Sequence, residues 1–135
     1  MLQKIRVLLL ICFTAVLAAC GGGGGGGDET PNFARNYALN LALSSNNCNA
    51  AVGTTLTGSV AVSQDGRSIK IIQAGDIYAG SVDADNGGFS AELTAVINNV
   101  PVRGAFAFRK FSNAYATTYS VTAGTCTVSY TGTAT

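Results

Sequence analysis

Few side chains in this chain can do chemistry, and their types limit what that chemistry is. There is no histidine. That removes the commonest general base and metal ligand, and with it any Ser-His-Asp or Cys-His arrangement. Asp83-Ala84-Asp85-Asn86-Gly87 sets oxygen-bearing side chains at alternate positions before a glycine, as a calcium loop does. A full loop of that kind runs on to a bidentate glutamate at its twelfth position. Counted from Asp83, that position is Thr94. The segment is therefore expected to be a turn between two strands, without a metal. Asp83 and Asp85 could also form an acid–base pair, but a solvated turn does not raise a carboxyl pKa into the range such work needs. Arg103 and Arg109 are six apart and share one face of a strand, with Lys110 beside them. The stripe could meet phosphate or another anionic group; the plainer expectation is a solvated outer face. GxGxxG, P-loop and zinc-ligand spacings are all missing. Neither a catalytic residue nor a cofactor is expected.

The remaining reactive groups are four thiols, Cys12, Cys20, Cys48 and Cys126. Cys20 is distinguished by its surroundings. Met1 to Val16 reads MLQKIRVLLLICFTAV: two cations, Lys4 and Arg6, precede an apolar run from Val7 to Val16. Small residues then lead to Cys20, which is the layout of a secretory signal. The run is about ten residues, half of what a membrane-spanning helix needs. Leu17-Ala18-Ala19-Cys20 resembles the lipobox of bacterial lipoproteins. That resemblance implies cleavage before Cys20, a diacylglycerol on its thiol and an acyl chain, such as palmitate, on its new amino terminus. Two or more chains make attachment stable. Residues 1–19 are then the signal peptide, and Cys12 leaves with it. The partner so implied is a membrane, met through the lipid. In the same family an aspartate just after the cysteine tends to retain the protein at the inner membrane. Gly21 stands there instead, which favours the outer membrane.

Seven glycines, Gly21 to Gly27, follow the cysteine. Without side chains to bury, such a run stays a coil. Residues 20–34 are read as the lipidated cysteine and its linker, with Asp28 and Glu29 as solvated charges. About 13 residues of coil hold a domain on the order of 20 Å from the lipid. The domain itself is assigned to 35–135, enough for one small core. Of the eight cations, Lys4 and Arg6 leave with the signal, so six face the seven acids. A near-neutral domain has no field of the kind nucleic-acid binding needs.

From residue 35 onward the apolar pattern has period two. Tyr37, Leu39, Leu41 and Leu43 alternate with Ala38, Asn40 and Ala42; Phe89, Ala91, Leu93, Ala95 and Ile97 alternate with Ser90, Glu92, Thr94 and Val96. This marks strands with one buried face. Turn signals such as Asp65-Gly66, Ala74-Gly75 and Asn98-Asn99 separate eight runs, at 35–44, 55–63, 68–73, 76–83, 88–97, 100–110, 114–122 and 125–133. All connections but the first are short, so the fold class is all-β, an antiparallel up-and-down meander. A flat meander would leave two long edges. It is expected to close into a small barrel, with a β-sandwich as the alternative. In an exported, oxidising setting Cys48 and Cys126 are expected to form a disulfide. Strands 1 and 8 are neighbours in a barrel, and both cysteines fall at the same end.

The stretch DGRSIKIIQAGDIYAGSVDADNGGFSAEL and the ending GTCTVSYTGTAT resemble small β-meander lipoproteins of unknown function, and more loosely calycin-type barrels such as lipocalins and avidins. Tyr37, Phe89, Phe106, Phe108, Tyr115, Tyr119 and Tyr130 are expected to point inward. With Gly58, Ala91, Ala95 and Gly104 as small residues opposite them, they are expected to fill the interior, since eight strands leave just enough room for side chains. The partner would then be an envelope protein met by the loops or outer face. The other expectation is a small apolar ligand held among the aromatics.

Overall fold

The computed structural model describes residues 29–135. The signal, Cys20 and the glycine run lie outside the described residues. Eight strands follow one another: β1 (Arg35–Asn46), β2 (Thr55–Asp65), β3 (Ser68–Gln73), β4 (Asp76–Val82), β5 (Gly88–Ile97), β6 (Val100–Phe111), β7 (Ala114–Ala123) and β8 (Cys126–Ala134). Each pairs antiparallel with the next, and β1 pairs with β8, so the meander closes into a barrel. The sandwich alternative is excluded by that closing ladder, which runs from Leu39↔Ala134 to Asn46↔Val128.

Local chemistry places the turns. Asn98 and Asn99 both adopt positive φ, 50° and 62°, as a two-residue hairpin loop matched to strand twist requires. Asparagine tolerates that region because its side chain can bond locally. β1 carries an irregularity between Leu43 and Ser45 opposite β8, the kind of bulge that bends a strand at a barrel rim. At the same seam Gly132 lets the backbones approach: a Cβ there would lie 2.2 Å from the carbonyl oxygen of Asn40.

The barrel has two unlike ends. At the near end, where β1 begins, the chain enters as a strap. Phe33 N donates to Gln64 Oε1 (2.7 Å), and Gln64 Nε2 donates to Pro31 O (2.8 Å). The Phe33 ring is buried and plugs this end, 5.0 Å from Phe89 and 6.1 Å from Tyr115. The fold therefore takes in Phe33, which sequence reading placed in the linker. Above it Tyr37, Phe89, Phe108 and Tyr115 form a dense aromatic layer, with Phe89 stacked on Phe108 at 4.6 Å.

The far end carries the loops 47–54, 74–75, 98–99 and 124–125. Here Cys48, in the β1–β2 loop, is disulfide-bonded to Cys126 at the start of β8, with their Cα atoms 4.7 Å apart. The inner face thins toward this end. Ile97 and Val100 belong to the inward set by alternation, yet they are 56% and 41% exposed. The outer face of the barrel is mostly Ser, Thr, Asn and Ala; Asn36, Asn40, Ser59, Ser63, Thr118 and Thr131 are typical.

The aromatic layer sets an alkaline limit. Burial, with the neighbouring Tyr115 adding to it, pushes the Tyr37 phenol up to about 12. The folded state holds that proton more tightly than an unfolded tyrosine, whose pKa is about 10. The resulting stability is fully present below pH 10 and is lost as pH rises from 10 to 12, by an amount on the order of 3 kcal/mol. Urea unfolding at a series of alkaline pH values checks this; stability that stays flat through that window would contradict it.

Candidate functional site: the far mouth of the barrel

The groups singled out by residue type are engaged with one another. The Asp83–Gly87 segment is a hairpin loop between β4 and β5, clamped by two arginines. Arg109 bonds Asp83 Oδ2 at 3.2 Å and Asp85 Oδ2 at 2.8 Å. Arg67 donates to Asn86 Oδ1 (2.8 Å) and to the carbonyl of Val82 (3.1 Å). The oxygens a calcium ion would need are thus turned to guanidinium groups. The Arg109 hydrogen bond, then that from the Gly87 N–H, holds the Asp85 carboxyl below the usual range. A general acid needs the opposite shift.

Arg103 is spent in the same way. It pairs with Glu92 across the β5–β6 ladder, and their mutual hydrogen bonds lower the Glu92 pKa and raise that of Arg103. The cationic stripe of Arg103 and Arg109 is therefore a row of ion pairs on a solvated face. Exposed pairs of this kind contribute little to stability. Among the described residues, no group of three His, Cys, Asp or Glu side chains is placed to hold a metal ion.

All seven aromatics expected inside are on the inner face, and all but Tyr119 are buried. Tyr78 joins them, although it was absent from the inward set. Its ring lies over Gly104, where a Cβ would come within 2.8 Å of Tyr78 Cε1. The expected filled interior holds for the near half alone. Above the Tyr78–Phe106–Tyr119 level the barrel opens into a recess of about 220 Å3. The cause is positional: Ala95 and Gly104, two of the small inward residues, lie on the paired strands β5 and β6 and line the same space. Leu93, Val102 and Val121 complete its apolar walls.

The floor and one side of the recess are polar. Tyr78 and Tyr119 share a hydrogen bond between their hydroxyls at 3.2 Å. Burial, then the bond to Tyr78, pushes the Tyr119 phenol well above the usual tyrosine range, and the nearby Asp76 carboxylate adds to the shift. Asp76, the first residue of β4, is the one charged residue lining the recess. Sequence reasoning missed it because a carboxylate at a hairpin end reads as solvated. The signal was its parity with Tyr78, Gly80 and Val82, which places it on the inner face. Compared with protein-family models, with curated proteins and with solved structures, the chain matches none of them.

Proposed function

We propose that the chain is a membrane-anchored lipoprotein of the cell envelope, held through lipid on Cys20 and placed at the outer membrane. Its β domain has no catalytic role and works by interaction. The observation that carries this reading is the sidedness of the barrel. Its interior is apolar, and its outside is mostly Ser, Thr, Asn and Ala with a few exposed hydrophobics, Ile72, Ile77, Val96 and Phe111. A barrel that spans a membrane has an apolar outer band instead. These strands are built for water, so membrane attachment falls to the segment that precedes them. The chain enters at the near end, sealed by Phe33, which leaves the far mouth pointing away from the tether. Partners meet the far loops and the polar outer face. The engaged carboxylates and the lack of histidine support a binding role over a catalytic one.

The recess over Tyr78 and Tyr119 favours a second reading, in which a small apolar ligand enters the far mouth. The first reading is tested by Cys20→Ala. The expected result is a variant without acyl mass at position 20 and without the mature, lipid-bearing amino terminus, with the Cys48–Cys126 barrel intact. Recovery of the variant in the same processed, membrane-bound form would overturn it.

A further inference from the structure

We propose that the far recess binds a small primary ammonium compound with an apolar ring or chain, held by Asp76. The inference deepens the small-ligand reading and does not depend on the lipid anchor. Three features of the recess point the same way. Its volume, about 220 Å3, exceeds the roughly 150 Å3 in which a buried cavity takes up benzene, so a ring with a short arm fits. Its walls are apolar, from Leu93, Ala95 and Val102, and Tyr78 and Tyr119 line it as well. Aromatic side chains are compatible with both an apolar body and a cation.

The third feature is charge. The four far loops, 47–54, 74–75, 98–99 and 124–125, contain no charged residue. The nearest arginine on these strands, Arg103, is already paired with Glu92 on the outer face. Asp76 is solvent-exposed at the start of β4, has no ion-pair partner among the described residues, and lines the recess. An uncharged end with a single carboxylate facing an apolar hollow complements a cation that carries apolar surface. An anionic ligand would meet Asp76 with no cation to offset it. The ammonium donates charge-assisted hydrogen bonds to Asp76, while the apolar body lies against Leu93 and Val102.

The test compares 2-phenylethylamine with 2-phenylethanol, which has the same body and no charge, using the full disulfide-bonded chain in detergent. Binding is read from saturable methyl shifts of Leu93, Val102 and Val121. The amine is expected to bind about tenfold or more tightly than the alcohol, as a charged hydrogen bond implies, and its advantage is expected to shrink as salt is raised. Asp76→Asn is expected to remove the difference while leaving the spectrum folded, since Asp76 lies outside the core cluster. Ala95→Leu, which fills the recess, is expected to abolish binding of both. Equal affinities for amine and alcohol would overturn the ammonium proposal but leave small-ligand binding standing. No saturable shift with either compound would overturn both.

Discussion

Replacing Cys48 and Cys126 by serine is expected to lower the stability of the barrel by about 4.5 kcal/mol, on the chain-entropy account of a loop of this size. The two residues are 78 apart in sequence, so the bridge ties together nearly the whole domain. It does so at the β1–β8 seam, the ladder with the largest loop to close. Beside the bridge, Asn47 N donates to Thr127 O at 3.2 Å, and Thr127 N donates to the side-chain oxygen of Asn47. For a domain of about 100 residues, a loss of this size moves the melting temperature by on the order of 20 °C. Urea unfolding of the double variant and the parent measures it. A difference under about 1 kcal/mol would mean that the seam closes without the bridge, and would set aside the loop-entropy account.

Phe89→Ala is the second large effect. Phe89 is fully buried, stacks on Phe108 at 4.6 Å and meets Phe33 at 5.0 Å and Tyr37 at 5.8 Å. Its β5 neighbour Gly88 lies against the Phe108 backbone, where a Cβ would fall 2.0 Å from the carbonyl oxygen, and has no side chain to fill the space. The hole therefore stays largely open, and truncation of a buried phenylalanine costs about 3–5 kcal/mol under those conditions. The loss should appear in chemical unfolding, together with a weaker near-ultraviolet tyrosine signal as the Tyr37 environment loosens. A loss below about 1 kcal/mol would mean the near-end layer collapses around the gap, against the packing described here.

The strands were legible because one face of each is buried and the side-chain period is two. Leu39, Leu41 and Val60, Val62 needed no tertiary information to be placed inside. Asp65-Gly66 and Asn98-Asn99 announce their turns by the backbone conformations they tolerate. The disulfide was legible from the expected oxidising setting and the strand count together, since an even number of alternating strands returns Cys126 to the end that holds Cys48. Phe33 was not legible. It is a single aromatic after Pro31 with no periodic neighbours, and what buries it is the open near end of the finished barrel. The Arg109–Asp85 pair joins residues 24 apart and depends on register across β4, β5 and β6. The recess depends on stagger. Ala95 and Gly104 lie beside one another there only because Leu93 pairs with Gly104 and Ala95 with Val102. A slip of two residues would have kept every side chain on its own face and moved the hollow elsewhere.

The proposed lipid tether at Cys20 is tested most directly by intact-mass spectrometry of the protein isolated from its membrane. The predicted result is a chain lacking residues 1–19, with the mass of a diacylglycerol and an amino-terminal acyl group on Cys20 and the Cys48–Cys126 bridge present. A chain that begins at Met1, or one with an unmodified Cys20, would contradict it.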